Sequence, residues 1–160
     1  MSPLLSPGDP APDFSAIAVG GPYGDGQTIK LSDLRGKTVV LYFYPKDDTP
    51  GCTKEACSFR DAFSRFKKQG IEILGVSPDN EASHKKFTAK YKLPFTLLAD
   101  KDHTIADAYG TYGEKKFMGR TYLGVKRTTF LIDEKGKIKK IFDKIKPEEH
   151  ASEVLDAFKG

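Results

Sequence analysis

Five short apolar runs, each about as long as a β-strand, alternate with stretches of helical periodicity along most of this chain. The strand-like runs are Val39–Phe43, Ile71–Val76, Phe95–Leu98, Thr128–Ile132 and Ile138–Phe142. The helical stretches lie near residues 50–68, 80–91, 103–109 and 147–158. Strands that alternate with helices are typical of α/β proteins, in which crossover helices cover the faces of a central sheet. The sequence therefore predicts an α/β fold.

The last two predicted strands are joined by the short segment Asp133–Lys137, which contains Gly136. A connection of this length fits a β-hairpin and is too short for a crossover helix. The last two strands should therefore be antiparallel, and the central sheet should be mixed and flanked by helices.

The length of 160 residues fits one domain, because a single core of that size buries roughly 70% of the surface that the unfolded chain exposes. Proline and glycine are frequent in the first 26 residues, and Gly20–Gly26 is typical of consecutive turns. We predict a single domain over residues 1–160, with a Pro/Gly-rich N-terminal arm over residues 1–26.

The net charge of +4 is small and spread along the chain, apart from six lysines between Lys135 and Lys146. Lysines often protect an exposed strand edge, and no reading helix accompanies them, so we expect no nucleic-acid partner. The apolar runs are far shorter than the roughly 20 residues of a membrane span. The first twelve residues do not resemble a secretion signal, and the sequence predicts a cytoplasmic protein.

A helix start is indicated at Thr49, which suits an N-cap, and at Pro50, which suits the first helical position. Cys52 then lies in the first turn of the helix. An apolar stripe that should face the core continues from Cys52 through Ala56, Phe59, Phe63 and Phe66.

Cys57 lies off this stripe, about 140° around the helix from Cys52. The rise of about 1.5 Å per residue separates the two α-carbons by about 8.7 Å, whereas a disulfide requires less than about 7 Å. A bond between Cys52 and Cys57 would therefore require the first helical turns to unwind.

Three interpretations of the two cysteines remain open on these grounds. Both can be small buried hydrophobic residues. A metal site is a weaker interpretation, because His84, His103 and His150 lie on different elements and no third ligand has a suitable spacing, so no metal or other cofactor is expected. In the third, the helix N-terminus stabilises a reactive Cys52 thiolate, which a peroxide oxidises to a sulfenic acid.

The spacing of Pro45, Thr49 and Cys52 matches the Pro-x-x-x-Thr-x-x-Cys signature, and the chain resembles the peroxiredoxins in this segment. The run Tyr42–Cys57 closely resembles the branch called peroxiredoxin Q or bacterioferritin comigratory protein, in which a resolving cysteine often lies five residues downstream. Gly8–Phe14 and Arg127–Asp133 also resemble family segments, so the resemblance covers nearly the whole chain. It implies a thioredoxin-like domain.

The resemblance implies that Cys52 is the peroxidatic cysteine and Cys57 the resolving cysteine, with a Cys52–Cys57 disulfide as intermediate. The implied activity is reduction of hydrogen peroxide and organic hydroperoxides. Thioredoxin, or a glutaredoxin-like dithiol protein, would be the reductant of a monomer or weak homodimer.

By the same resemblance, Thr49 hydrogen-bonds the thiolate or peroxide, Arg127 stabilises the thiolate and polarises the peroxide, and Pro45 shields the sulfenic acid from water. Glu55 is expected to orient Arg127. Each residue also has a purely structural interpretation: a helix cap, a surface cation, a strand stop and a first-turn carboxylate, respectively.

Two other functions use the same cysteines. A general disulfide oxidoreductase usually carries Cys-x-x-Cys, whereas the spacing here is longer. A peroxide sensor or holdase would share the first oxidation and then pass it to a partner protein. A purely structural domain is the remaining alternative.

Overall fold

A computed structural model describes residues 5–159, apart from the side chains of Phe117 and Lys159. Its strands are β1 (Ser15–Val19), β2 (Gln27–Lys30), β3 (Thr38–Phe43), β4 (Ile71–Ser77), β5 (Thr96–Ala99), β6 (Tyr112–Phe117), β7 (Arg120–Val125), β8 (Thr128–Ile132) and β9 (Ile138–Phe142). Its α-helices are α1 (Pro50–Asp61), α2 (Phe63–Lys68), α3 (Glu81–Tyr91), α4 (Thr104–Ala108) and α5 (His150–Lys159). Short 3₁₀ helices cover Gly21–Tyr23, Leu31–Leu34 and Pro147–Glu149.

Seven strands form one sheet in the order β2-β1-β5-β4-β3-β8-β9. Strand β4 runs parallel to β3 and β5, and the other neighbouring pairs are antiparallel. This arrangement confirms the predicted mixed sheet and the antiparallel pairing of the last two strands. The hairpin β6–β7 forms a separate two-stranded sheet.

Strand β3 lies inside the sheet and carries core residues on both faces. Val39, Leu41 and Phe43 belong to one hydrophobic cluster, whereas Val40 and Tyr42 belong to the other. Side chains alternate between the faces of a strand, so a strand buried on both sides is apolar throughout. This is why the run at 39–43 predicted a strand so clearly.

The second cluster contains the buried residues of α1 and of the helices around it. Ala56 and Phe59 of α1 pack there with Phe66 of α2, Phe87 of α3 and Val154 of α5. Helices α1, α3 and α5 therefore cover the same face of the sheet. The predicted core stripe is confirmed for Cys52, Ala56, Phe59 and Phe66, which are buried, whereas Phe63 is half-buried.

Two predicted helices differ from the structure. The stretch near 50–68 is divided into α1 and α2 at Ala62, where φ is −97° and ψ is 2°, so the ladder of helical hydrogen bonds is interrupted. The stretch near 147–158 begins with a 3₁₀ turn at Pro147–Glu149 before α5 starts at His150. Apolar periodicity continues across both interruptions, because the neighbouring helices still face the same core.

Strands β1, β2, β6 and β7 were not predicted. Within the Pro/Gly-rich arm, β1 pairs with both β2 and β5 and therefore lies inside the sheet.

Among the described residues, no helix is long and apolar enough to cross a membrane.

Candidate active site

Strand β3 delivers the chain to the start of α1, and the loop between them carries Pro45 and Thr49. Thr49 occupies the N-cap position with an extended backbone, and its carbonyl accepts the first helical hydrogen bond from the Thr53 amide at 2.8 Å. The Thr49 hydroxyl does not cap the helix within the described structure and donates instead to the Lys46 carbonyl at 2.9 Å. The predicted helix start is confirmed, and Cys52 lies in the first turn.

A network of buried polar groups holds the loop before α1. Asp47 accepts a hydrogen bond from the Tyr44 hydroxyl at 2.6 Å and another from the Ser83 hydroxyl at 2.8 Å. The oxygen that accepts from Ser83 also lies 2.7 Å from His84 Nδ1, and the Asp47 amide donates to Asp79 at 2.7 Å. Sequence reasoning missed this network because Asp79, Ser83 and His84 lie more than 30 residues from Asp47 along the chain.

Arg127 reaches Cys52 across 75 positions of sequence because β8 pairs with β3. Thr128 lies opposite Phe43, so Arg127 precedes β8 at the end of the sheet where β3 leads toward α1. Arg127 Nη2 donates to Cys52 Sγ at 3.2 Å, and the cysteine is only 1% exposed. The sulfur is therefore buried against a guanidinium, a group that stabilises negative charge.

The Arg127 guanidinium also binds Glu55. Arg127 Nη1 donates to Glu55 Oε1 at 2.6 Å, and the Glu55 side chain is fully buried. Glu55 Oε2 has no hydrogen-bond partner among the described residues. Burial raises the pKa of Glu55 to about 7, although the neighbouring Arg127 acts in the opposite direction.

Gly51 permits this close approach. A β-carbon at position 51 would lie 3.1 Å from Arg127 Nη2 and 3.9 Å from Pro147 Cγ. A side chain at position 51 would therefore require the Arg127 guanidinium, which is hydrogen-bonded to the sulfur, to shift by a few tenths of an ångström.

Cys57 lies on α1 with Cys52, and both cysteines are free thiols. Cys57 is half-buried, whereas Cys52 is buried. Because both residues lie in one uninterrupted α-helix, their five-residue offset keeps the α-carbons about 8.7 Å apart, too far for a disulfide.

The structure thus brings Cys52, Arg127 and Glu55 into one contact group. Pro45 and Thr49 lie half-buried in the loop before α1, and Cys57 lies further along the helix. In the part of the chain that the structure describes, no group of three His, Cys, Asp or Glu residues is arranged to hold a metal ion.

The family model described as the AhpC/TSA family matches residues 7–141. The chain belongs to the AhpC/TSA family. The putative peroxiredoxin bcp of Coxiella burnetii is 50% identical over 148 residues, which cover 92% of this chain and 95% of that protein. Peroxiredoxin Bcp of Escherichia coli K12 is 45% identical over 159 residues, which cover 99% and 98%.

Among solved structures, bacterioferritin comigratory protein of Xanthomonas campestris has a TM-score of 0.83 and 37% identity, and the match covers 91% of this chain and 90% of that one. The thioredoxin-like fold is therefore confirmed, and so is membership of the peroxiredoxin Q branch. This AhpC/TSA family member is a peroxiredoxin, a thiol-dependent peroxidase that acts on peroxides with a thiol reductant.

Replacing Gly51 with alanine should separate activity from stability. The new methyl group should displace Arg127, and a shift of a few tenths of an ångström should slow oxidation of Cys52 by peroxide about fourfold, since 1 Å can cost a hundredfold. The unfolding free energy should stay close to that of the wild type, because the advantage of alanine over glycine, about 1 kcal/mol in a helix interior, counts for less in the first turn and offsets the displacement of Arg127.

Stopped-flow oxidation and urea unfolding test this expectation. Gly113→Ala is the matched control, because Gly113 also avoids the left-handed region and its β-carbon would meet open space. The explanation is wrong if Gly51→Ala reacts with peroxide as fast as the wild type.

The pH dependence of stability should contain two opposing contributions from the site. Between about pH 4.5 and 7 the folded state keeps a proton on Glu55 that the unfolded chain has lost, so the Glu55 contribution falls as pH rises. Burial, and then Arg127, lower the pKa of His150 to about 4. Between about pH 4 and 6.5, His150 is therefore protonated in the unfolded chain and neutral in the folded protein. The contribution of His150 to stability falls as pH falls through this range.

Urea unfolding across this range measures both contributions. The stability of the wild type minus that of Glu55→Gln should decrease as pH rises, by at most about 1.4 kcal/mol per pH unit. The stability of the wild type minus that of His150→Gln should increase as the pH rises from about 4 to 6.5. Parallel stability curves for the wild type and Glu55→Gln would contradict the assignment of a raised pKa to Glu55.

Proposed function

We propose that Cys52 is the peroxidatic cysteine and that it reduces hydrogen peroxide and organic hydroperoxides. The contact that carries this proposal is the 3.2 Å hydrogen bond from Arg127 Nη2 to Cys52 Sγ. A purely structural buried cysteine has no need of a cation on its sulfur, because a neutral thiol packs as a small hydrophobic group. The related Xanthomonas campestris protein was solved in a study of its alkyl peroxide reduction activity, which supports organic hydroperoxides as substrates.

In the first step the Cys52 thiolate attacks one peroxide oxygen as the O–O bond breaks. The sulfur is oxidised to a sulfenic acid, and the other oxygen leaves with the bonding pair and takes up a proton to give water or an alcohol. Negative charge moves from the sulfur to the departing oxygen, so donors fixed around both atoms stabilise the transition state. We assign this role to Arg127, Thr49 and the amides near Gly51 and Cys52.

Thr49 must redirect its hydroxyl to fill this role, since the hydroxyl donates to the Lys46 carbonyl in the described state. Pro45 is half-buried in the same loop, and we assign it the shielding of the sulfenic acid from water. Glu55 fixes the plane of the Arg127 guanidinium through the 2.6 Å contact.

In the second step Cys57 attacks the Cys52 sulfenic acid, which forms the Cys52–Cys57 disulfide and releases water. The first turns of α1 must unwind, because the folded helix keeps the two α-carbons too far apart. The helix start suits this change: the described structure shows no side-chain cap there, and glycine at position 51 weakens the helix.

In the third step a dithiol protein reduces the disulfide by thiol–disulfide exchange and is itself oxidised. We propose thioredoxin or a glutaredoxin-like protein as this reductant. We further propose that the chain works in the cytoplasm as a single thioredoxin-like domain, as a monomer or weak homodimer, and without a cofactor.

Serine variants should separate the roles of the two cysteines. Cys52→Ser should abolish peroxide consumption with a thioredoxin system. Cys57→Ser should be oxidised once at close to the wild-type rate but should turn over far more slowly. Coupled NADPH consumption measures turnover, and stopped-flow fluorescence or mass spectrometry measures the first oxidation.

Other outcomes of the same assays support the alternative functions. Insulin reduction without peroxide would indicate a general disulfide oxidoreductase. Slow turnover of the wild type, together with mixed disulfides trapped on Cys57→Ser, would indicate a sensor or holdase. Full activity of Cys52→Ser would contradict the proposal.

The oxidised protein should be locally unfolded over residues 50–60. Amide hydrogen exchange should be slow there in the reduced protein and at least tenfold faster in the disulfide form, because the backbone bonds of the first turns are lost. Exchange in β3 and β4, which lie inside the sheet, should not change and serves as the internal control. Equal protection of residues 50–60 in both redox states would contradict the proposed cycle.

A further inference from the structure

A second buried polar link lies behind the Arg127–Glu55 pair. His150 opens α5 and is fully buried, and its Nε2 lies 2.7 Å from the Thr129 hydroxyl of β8. The same nitrogen lies 4.0 Å from Glu55 Oε2, the carboxylate oxygen that has no hydrogen-bond partner in the described part of the chain. These contacts lie next to Glu55, the residue that binds the Arg127 guanidinium.

The His150 ring is held in place by aromatic neighbours on two sides. Phe59 of α1 meets it edge-on, with ring centroids 5.5 Å apart and an interplanar angle of 81°. Phe142 of β9 meets it in the same way at 5.4 Å and 84°. Edge-to-face contacts of this kind fix the orientation of a ring as well as its position.

His150 is neutral, because burial and the positive charge of Arg127 lower its pKa to about 4. A neutral imidazole carries its proton on one nitrogen, and we assign it to Nε2. A proton there points toward the Thr129 hydroxyl and the unpaired Glu55 oxygen. A proton on Nδ1 would instead leave the Nε2 lone pair facing the fully buried Glu55 carboxylate at 4.0 Å, which is electrostatically unfavourable. The Glu153 carboxylate is closer to Nδ1, at 3.5 Å, but it is partly exposed and solvent screens its charge.

We propose that His150 is a positioning residue of the peroxidatic centre: it ties Thr129 of β8 to the face of α1 that carries Glu55, and so keeps Arg127 aligned on the Cys52 sulfur. The contacts from Thr129 through His150 to Glu55, and the direct contact from Arg127 to Glu55, both connect α1 to the segment at residues 127–129. This role rests on the proposed function of Cys52. A network whose members are each oriented by a neighbour holds a catalytic group more tightly than one contact does.

The charged and titratable neighbours of the network come from several elements. Arg127, before β8, and Cys52, on α1, lie on its catalytic side. Tyr42 of β3 is buried, and burial followed by the Glu55 charge raises the pKa of its hydroxyl. Glu153 of α5 lies 3.5 Å from His150 Nδ1, and its side chain is partly exposed. Glu153 is the only one of these groups on the helix of His150 itself.

The test compares two substitutions of His150 with one packing control. His150→Leu removes both ring nitrogens, whereas His150→Gln keeps an N–H group that can reach the site of Nε2. Phe142→Leu loosens the same aromatic packing and leaves the hydrogen-bonding groups of His150, Thr129 and Glu55 in place. It also removes the Lys140 cation–π contact, which lies outside this network. The readouts are the rate of Cys52 oxidation by hydrogen peroxide without reductant, and the titration of the ¹³C-labelled Glu55 carboxyl by NMR.

We expect His150→Leu to slow oxidation about tenfold and to move the Glu55 titration midpoint up by about one pH unit, since one unit corresponds to a tenfold change in equilibrium. His150→Gln should recover most of the rate and of the midpoint, and Phe142→Leu should retain both. The proposal is overturned if His150→Leu leaves both readouts unchanged, if His150→Gln behaves like His150→Leu, or if Phe142→Leu shows the same losses.

A further measurement on the wild type does not depend on any variant folding. The ¹⁵N spectrum of His150 should show the proton on Nε2, and a proton on Nδ1 would overturn the assignment. Loss of the proposed function itself would show differently: Cys52→Ser would keep full activity, while the Glu55 titration and the His150 tautomer would still report on this link.

Discussion

The site depends on one guanidinium that serves two acceptors in a buried place. Arg127 binds the Cys52 sulfur with one nitrogen and the Glu55 carboxylate with another, and the rigid fork of the guanidinium fixes the angle between them. A buried charge is costly unless it is paired, and the mostly buried Arg127 is paired with Glu55. Three features bring these groups together: the β3–β8 pairing, the absence of a side chain at position 51 and the first turn of α1.

The local part of the site could be predicted from the sequence. Thr49, Pro50 and Cys52 lie in one short segment, so their spacing alone indicates a helix start with a cysteine in its first turn. The partners of that cysteine are more difficult to predict. Arg127 was assigned by family resemblance, and its contact depends on strand pairing that periodicity does not reveal. The His84 and His150 networks are tertiary, and an isolated histidine in a sequence carries no signal of its partners.

For the fold too, features encoded in short segments were predicted, and features that depend on tertiary contacts were missed. Strands β3, β4, β5 and β8 were predicted because their apolar runs are nearly continuous, and β9 was predicted from Ile138, Ile141 and Phe142 after a hairpin-length turn. Strand β6 was missed because glycine, glutamate and lysine occupy positions 113–116, and β7 was missed because it is largely exposed and forms no buried apolar run. Their pairing depends on a tight turn at Met118 and Gly119, whose φ angles are 52° and 78°. Strand β1 is short and contains small residues, and its burial comes from β5, which is distant in sequence.

The buried face of α1 is graded in side-chain size. Its first two turns bury small groups, Cys52 and Ala56, whereas the bulky Phe59 follows, and Phe66 lies beyond the break at Ala62. Peeling the helix from its start therefore exposes little apolar surface until Phe59 is reached, and the hydrophobic effect scales with that surface. Glu55 would regain water at the same time, which offsets part of the lost packing. In the proposed cycle, unwinding of α1 would therefore end near Phe59, the first large aromatic ring on the buried face of the helix.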